Sequence, residues 1–594
     1  MTDTRHELSS AAWGWPLLMG LGLLVAALAA GALLVGFDQL SHDAAYLEAV
    51  QARALAQKGS FALFGGAGGG TGVASPLYTG LVAFFVLLGF SATAVMHGLS
   101  ALFAALSAVL VARMASAKGS PRVAVLVSLS FVLCPPVFLA AMGGDSAAMG
   151  LFLTTLVLYL LAMQPVKDGA LRAAAVSAVL ALAMLARPET AVLAVALVLA
   201  DRSSTGLTLG ARGLAALAAV GLAAVFRTVL LGSVADGLFQ SVVAGRGLLG
   251  AFSGDAFRPA ELLLGISAYP LMGFLESGLT GLSMGLAGLA VMAFNFQALK
   301  GGPRPPHRML CFSWLVFGPL VLGALLAEGG VGMGMRYFLW LTPAYALAGV
   351  HALNRLSAPE VTFKPLVAGV ITLLLAAGVL TAALLHTPLI GPYWTAQLKN
   401  HALPVLAGLT AAGMGVLLVA AARRHLARVG AAVVATGVLL SLALMVPLAL
   451  HQHGEMVRQR HMAGLLDRMS LFVRDGDQVG AFRSGLALYL RPRHTRDLSG
   501  RVESRFHVSR MAYARDLEKF PVSVASNCVP EKIGFIICDQ RSECGSLLME
   551  PDWRFALQTG SIALYRHKPV DPEAFEKRYG RPDTEMTDRP GAAP

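Results

Sequence analysis

The apolar stretch "GWPLLMGLGLLVAALAAGALLVG", residues 14–36, decides the class of fold that this chain adopts. It carries no charged residue, and about 20 apolar residues are enough for a helix to cross the hydrocarbon core of a bilayer. No small-residue cleavage site follows it. We therefore predict a transmembrane helix that is retained, and not a signal peptide.

The composition extends this interpretation to the whole chain. Its 594 residues are 56% hydrophobic and only 13% charged, whereas soluble domains contain about 25% charged residues. The sequence predicts a polytopic α-helical membrane protein with about thirteen transmembrane helices. The candidate crossings lie at about 14–36, 93–112, 123–141, 146–163, 173–186, 190–200, 213–231, 277–298, 309–327, 337–353, 365–386, 403–421 and 429–450.

The basic residues predict the orientation of these helices. The net charge is +12, but the lysines and arginines are scattered through short loops, which is the topology signal of a bacterial inner-membrane protein and does not indicate a nucleic-acid partner. Loops such as 113–122, with Arg113, Lys118 and Arg122, are predicted to be cytoplasmic. The alternate loops and everything after residue 450 are predicted to be periplasmic.

Two further apolar segments, 76–90 and 262–275, are too short to span a membrane. Counting 76–90 as a span would also invert every later loop, so we predict re-entrant or membrane-surface helices. In "LARPET", Pro188 is expected to break a helix near a polar cavity.

Composition divides the chain into a transmembrane domain, residues 1–450 with an external loop at 37–75, and a periplasmic α/β domain, residues 451–594. The second part contains the strand-like stretches "DQVGAF", "IGFIICD" and "SIALYRH". Among Cys528, Cys538 and Cys544 at most one disulfide can form. An oxidising compartment favours Cys538–Cys544 or Cys528–Cys538.

The first external loop carries an unusual number of charges directly after a span. Tyr46, Leu47, Val50 and Ala54 share one helical face and Gly59 follows as a stop, so we predict an amphipathic helix lying along the membrane surface. Asp43 would occupy its first turn, where a carboxylate can act as a general base or hold a divalent metal. The alternative is a solvated turn at the exit of a membrane helix.

A second acidic group lies in the predicted external turn "MGGDSAAMG", where Asp145 is either a functional carboxylate or the cap of the next helix. Ionisable groups at membrane depth are costly and are by default functional. Arg187 and Arg336 are therefore candidates for binding an anion, with pairing to Glu189 or Glu328 as the alternative.

Together these stretches resemble the GT-C superfamily of membrane glycosyltransferases, in particular its arabinofuranosyltransferase-like and aminoarabinose-transferase-like members. The resemblance rests on "SHDAAYLEAVQARALAQKG", "ASPLYTGLVAFFVLLG", "GGDSAAMGLFLTTLVLYLL", "LARPET", "MRYFLWLTPAY" and "VGAFRSGLALYLRPRHTRDLSGRV". Members of that superfamily take a sugar from a polyprenyl-phosphate carrier on the outer face of the membrane.

The resemblance implies an inverting glycosyltransferase with Asp43 as the catalytic base. It also implies a polyprenyl-phosphate sugar donor, an envelope glycan, lipid or protein acceptor, and contact with membrane lipid. A divalent metal, Mg²⁺ or Mn²⁺, would be held by Asp43 and Asp145. The predicted donor- and acceptor-binding residues are His42, Tyr46, Asp145, Arg187, Glu189, Arg258, Arg336 and Tyr337.

The alternative function is a transporter or flippase of a lipid-linked or amphipathic anion. A transporter is expected to carry ionisable groups along a path to both membrane faces. In this sequence the polar groups cluster at the predicted outer face, which favours the enzyme.

Overall fold

The computed structural model describes most of the first 231 residues and selected later segments. The described ranges are 11–35, 39–41, 43–61, 75–166, 168–231, 335–356, 456–469, 478–481, 485–491, 495–497, 533–539, 553–560 and 562–567, with isolated residues between 280 and 318 and at 473 and 477. The predicted segment 262–275 and most of the crossings predicted at 277–298, 309–327, 365–386, 403–421 and 429–450 lie outside them.

The described part of the chain up to residue 356 is helical. Its α-helices are α1 (Ala11–Ala30), α2 (Asp43–Lys58), α3 (Pro76–Leu87), α4 (Ala92–Lys118), α5 (Pro121–Val132), α6 (Pro135–Gly143), α7 (Ala147–Met163), α8 (Gly169–Ala186), α9 (Val192–Leu199), α10 (Arg202–Thr205), α11 (Leu209–Leu231) and α12 (Thr342–Leu356). A π-helical turn, Gly31–Val35, extends α1, and 3₁₀ helices cover Pro188–Ala191 and Met335–Leu341.

Several of these helices are suited to cross a membrane. Within the described ranges, four apolar stretches are long enough: Gly14–Leu33, Ala92–Lys118, Gly169–Ala186 and Leu209–Val229. The helices α5 and α6 qualify as a fifth span when they are taken together, with a bend of 50° between them. The chain is therefore a multi-pass membrane protein, as the composition predicts.

Helix α3 has 12 residues and is followed by a turn at Gly89, whose φ is +90°. A helix of that length rises about 18 Å, which is too short to cross the hydrocarbon core. The prediction that 76–90 is not a complete span is thus confirmed for its length.

Prolines lie at two breaks between the described helices. Pro135 and Pro136 begin α6 directly after Cys134, which has an extended backbone, and the bend between α5 and α6 falls there. Further on, α8 ends at Ala186 and Arg187 is extended, with φ −147° and ψ 107°. A residue before proline is disfavoured in the helical region, so the predicted helix break at Pro188 is confirmed.

The described helices of the first unit pack around an apolar core. Phe131, Leu151, Leu158 and Trp314 are among its fully buried side chains. Small residues allow the backbones to approach closely, as at Gly20 of α1, which lies against α4.

The later described segments form a five-stranded sheet with the order β2-β1-β3-β5-β4. Its strands are β1 (Gln478–Ala481), β2 (Thr495–Asp497), β3 (Ile533–Asp539), β4 (Trp553–Thr559) and β5 (Ile562–His567). Strands β1, β2 and β3 are parallel, and β5 is antiparallel to both β3 and β4. The three strands predicted from the sequence correspond to β1, β3 and β5.

Two helices accompany the sheet: α13, residues 456–469, and α14, Gly485–Leu490. Gly464 of α13 lies near Thr559 of β4, while α14 follows β1 along the chain. Cys538 of β3 is disulfide-bonded. Both bridges favoured from the sequence include Cys538; their other members, Cys528 and Cys544, lie outside the described residues.

The chain divides into two compact units. The first unit contains Met1–Gln39, Ala74–Leu81 and Thr93–His451. The second contains Leu40–Val73 and Val82–Ala92 together with Gln452–Pro594. The helix α2 of the predicted external loop thus belongs to the same compact unit as the sheet.

Candidate active site

Asp43, the predicted base, is the first residue of α2, and its side chain is buried, with 7% of its surface exposed. Its Oδ1 atom accepts a hydrogen bond from the backbone N–H of Gly485, at an N–O distance of 2.8 Å. Gly485 is the first residue of α14. The carboxylate is therefore bound to a segment that lies 442 residues further along the chain.

Aromatic and apolar contacts hold α2 against α14. The rings of Tyr46 and Tyr489 are tilted, with centroids 5.4 Å apart. The Arg53 guanidinium lies 3.8 Å from the centroid of the Tyr489 ring and donates a hydrogen bond to its hydroxyl. Leu47 and Val50 form an apolar cluster with Leu488 and Tyr489. The two helices thus make several contacts besides the Asp43–Gly485 hydrogen bond.

The burial of α2 corrects one prediction. An amphipathic helix lying on a membrane surface would expose its polar face, but Glu48 and Gln51 are 5% and 1% exposed, and ten of the sixteen residues are buried. Contacts with α14 cover part of the helix. The prediction of an amphipathic helix is therefore wrong, because the polar residues Glu48 and Gln51 are buried, whereas the limits of the helix, including the stop at Gly59 with a φ of +68°, are confirmed.

Tyr46 has a second contact, because its hydroxyl accepts a hydrogen bond from the backbone N–H of Leu40 at 3.0 Å. This contact fixes the chain just before Asp43. Asp38 and His42 lie outside the described residues.

A second polar group lies in the first unit, around the predicted acidic turn. The Asp145 carbonyl oxygen accepts a hydrogen bond from Ser100 Oγ at 3.0 Å, and Asp145 Oδ1 accepts one from the Ala147 N–H at 3.1 Å. The Tyr78 hydroxyl lies 3.2 Å from Ser100 Oγ. Asp145 is buried, and its side chain contacts the start of α7, directly before the N-cap residue Ser146.

His97 of α4 joins two parts of the first unit and was not predicted from the sequence. Its Nε2 atom lies 2.7 Å from the Gln39 carbonyl oxygen, and its Nδ1 atom lies 2.9 Å from the Met142 carbonyl oxygen. The ring therefore links Gln39, which follows the first span along the chain, with the end of α6, just before Asp145. The available signal was a buried ionisable residue inside an apolar run.

Arg187 and Glu189 form a buried ion pair. Two guanidinium nitrogens of Arg187, Nε and Nη2, lie 2.6 and 2.5 Å from Glu189 Oε1. Gly150 of α7 leaves room for the Arg187 side chain, since a Cβ there would lie 2.7 Å from Arg187 Cγ. Of the alternatives left open by the sequence, the structure therefore shows Arg187 paired with Glu189.

Arg227 of α11 interacts electrostatically with the same glutamate. It is buried, with 3% of its surface exposed. Arg187, Glu189 and Arg227 thus form a buried charge cluster with two positive groups and one negative group.

The remaining predicted residues are located only in part. Arg336 and Tyr337 belong to the 3₁₀ helix Met335–Leu341; the structure describes their backbone and not their side chains. Arg258 lies outside the described ranges altogether.

The metal expected from the sequence would need oxygen ligands from several groups. In the segments that the structure describes, no three His, Cys, Asp or Glu side chains come together as a potential metal site. Asp43 instead uses Oδ1 to accept a backbone hydrogen bond. That Asp43 and Asp145 hold a divalent metal stays a prediction.

Comparison with known proteins gives structural likenesses only. No protein-family model and no curated protein sequence matches the chain. The crystal structure of ArnT from Cupriavidus metallidurans bound to undecaprenyl phosphate aligns over 93% of this chain and 98% of that one, with 13% identity and a TM-score of 0.47.

Two further structures align over similar lengths. ArnT from Cupriavidus metallidurans in the apo state covers 94% of this chain and 98% of its own, with 14% identity and a TM-score of 0.48. An oligosaccharyltransferase from Archaeoglobus fulgidus tethered with an acceptor peptide covers 92% of this chain and 74% of its own, with 11% identity and a TM-score of 0.40.

Proposed function

We propose that this protein is a membrane glycosyltransferase that moves a sugar from a polyprenyl-phosphate donor to an envelope glycan, lipid or protein acceptor. The observation that carries the proposal is the buried carboxylate of Asp43, held in one orientation by the Gly485 N–H. A general base needs a fixed position relative to the proton that it removes. Asp43 has such a position directly after the first span.

In the proposed reaction, Asp43 accepts the proton of the acceptor hydroxyl. The acceptor oxygen attacks the anomeric carbon of the donor sugar, and the bond between that carbon and the phosphate oxygen breaks. The polyprenyl phosphate leaves as an anion, and attack from the opposite face inverts the anomeric configuration.

The departing phosphate needs positive charge close to its oxygens. The cluster of Arg187, Glu189 and Arg227 supplies one excess positive charge from buried groups. Charges buried at membrane depth are costly and are retained for function. We assign this cluster to recognition of the carrier phosphate, with Arg336 and Arg258 as further contributors.

The test is a transfer assay on the full chain, purified and reconstituted in lipid nanodiscs. Undecaprenyl-phosphate-linked mannose, arabinose and aminoarabinose serve as donor probes, and mass spectrometry of envelope glycans from a deletion strain identifies the acceptor. The Asp43→Asn variant is expected to lose at least about 10²-fold in transfer rate, because general-base help contributes about 10²- to 10⁴-fold. Transfer by this variant at the wild-type rate would contradict the proposal.

The proposal also places the reaction on the periplasmic face of a bacterial inner membrane. Topology reporters fused after residues 118, 304 and 425 are expected to be cytoplasmic, and reporters fused after residues 60, 395 and 520 periplasmic. A periplasmic reporter after residue 118 would mean that 76–90 crosses the membrane, which would invert the predicted sidedness.

A further inference from the structure

The contact between Asp43 and Gly485 orients the carboxylate as well as stabilising it. Both residues are buried, and the N–O distance of 2.8 Å is that of a well-formed hydrogen bond. A bond to Oδ1 fixes the rotation of the carboxylate about its Cβ–Cγ bond. The direction of the other oxygen is then fixed as well.

Space around residue 485 admits only glycine in this arrangement. A Cβ at this position would overlap the backbone carbonyl of Asp43 and would lie 2.8 Å from its Oδ1 atom. The carbonyl belongs to the first residue of α2 and cannot move away without disturbing that helix. A side chain at position 485 must therefore push the carboxylate and the start of α2 away from α14.

Contacts on two sides of α14 hold Gly485 in place. On one side, the Oγ1 atom of Thr495 in β2 donates a hydrogen bond to the Ala487 carbonyl oxygen of α14 at 3.3 Å. On the other side, Tyr489 of α14 contacts both Tyr46 and Arg53 of α2. A strand of the sheet is thus linked through a short helix to the carboxylate.

We propose that Gly485 is a positioning residue for the transfer reaction: its backbone N–H, fixed by the sheet, aims the Asp43 carboxylate at the acceptor hydroxyl. This inference rests on the proposed role of Asp43 as the base. The α/β part of the chain is then a required component of the catalytic apparatus, and not only a module for binding an acceptor.

The main variant is Gly485→Ala, with Gly534→Ala of β3 as the matched control. A Cβ at Gly534 meets no atom within 4 Å, so the control adds the same methyl group to the same unit without a collision. A displacement of about 1 Å can cost about 10²-fold in rate. With the undecaprenyl-phosphate sugars as probes, Gly485→Ala is expected to lower kcat by about that factor and to leave the donor KM unchanged.

A double-variant cycle separates positioning from general loss of structure. Asn at position 43 keeps an oxygen that can accept the Gly485 hydrogen bond, so Asp43→Asn removes the base without removing the contact. If Gly485 acts through Asp43, adding Gly485→Ala to Asp43→Asn will not lower the residual rate further. If Gly485→Ala lowers the residual rate of Asp43→Asn by the same factor as it lowers the wild-type rate, or if the donor KM changes, the inference is overturned.

Hydrogen exchange on the full chain tests the contact without any substrate. The first N–H groups of a helix have no partner inside the helix, so protection of the Gly485 amide depends on Asp43. Asp43→Ala is expected to abolish that protection and Asp43→Asn to keep it.

The two tests fail in different ways. An unprotected Gly485 amide in the wild-type protein would overturn the inference at its first step. Persistent protection with wild-type transfer by Asp43→Asn would show a purely structural contact, and would overturn the proposed base as well.

Discussion

Arg187 reaches a single carboxylate oxygen of Glu189 with two of its nitrogens, Nε at 2.6 Å and Nη2 at 2.5 Å. Both side chains are buried, and Arg227 adds a second positive charge to the same carboxylate. Removing one member of a buried ion pair leaves the other as an uncompensated charge, which costs about 3–5 kcal/mol. The stability of this region is therefore expected to depend on Glu189.

The prediction is that Glu189→Gln lowers the free energy of unfolding by about that amount. Thermal unfolding of the full chain in one detergent, followed by size exclusion, measures the loss. The double variant Arg187→Gln/Glu189→Gln is the control, because it removes the stranded charge of Arg187 and should recover part of the stability. Equal stability of Glu189→Gln and wild type would mean that the pair is solvated.

The break in this segment could be predicted from the sequence, but its ion pair could not. Pro188 restricts Arg187 to an extended backbone, and that restriction is local. Whether Arg187 meets Glu189 or Glu328 depends on the direction of the side chain. That direction is set in part by Gly150 of α7, against which Arg187 packs. Such a contact between distant residues cannot be predicted from the local sequence.

The helix α2 also has features that could be predicted from the sequence and features that could not. Its ends at Asp43 and Gly59 follow from the sequence, whereas its burial does not, because the residues that cover it come from more than 400 positions later. In the folded chain Arg53 stacks on Tyr489.

Close packing between α1 and α4 gives a second prediction. A Cβ at Gly20 would collide with the side chain of Val109 and would lie 2.9 Å from the carbonyl oxygen of Ala105. Overpacking costs about 1–3 kcal/mol, so Gly20→Ala is expected to lower the unfolding temperature of the full chain in detergent.

Gly22→Ala is the matched control, because a Cβ there meets no atom within 4 Å. Alanine is a better helix former than glycine by about 0.8–1.0 kcal/mol. This variant is therefore expected to be at least as stable as the wild type. The same shift in both variants would argue against the contact between α1 and α4.

The sheet contains an unfavourable pair of like charges. Arg554 of β4 and Arg566 of β5 are directly opposite each other. Burial, followed by the charge of Arg554, lowers the pKa of Arg566 below its ordinary value. Since the folded state disfavours the charged form of this base, the penalty is present at every pH below the lowered pKa, including neutral pH.

Arg554→Thr is therefore expected to stabilise β4 and β5 by about 0.2–1 kcal/mol, the usual size of a cross-strand pair term. Hydrogen exchange of the β5 peptide in the full chain measures the change. The gain should shrink at high salt, because salt screens the repulsion. Arg554→Lys keeps the charge and should give no gain; a gain of equal size in both variants would rule out repulsion as the cause.

Variants of Asp145 can distinguish two roles of its side chain, which are to hold the start of α7 and to supply a charge for the reaction. Its Oδ1 atom accepts the N–H of Ala147 at the start of α7, and asparagine is as good a cap as aspartate. Asp145→Asn is thus expected to keep the unfolding temperature of the wild type, while Asp145→Ala should lose about 0.5–2 kcal/mol. Because Asp145 is predicted to contact donor or acceptor, transfer from the undecaprenyl-phosphate probes should fall in both variants. If Asp145→Asn keeps both wild-type stability and wild-type transfer, the buried carboxylate serves only to begin α7.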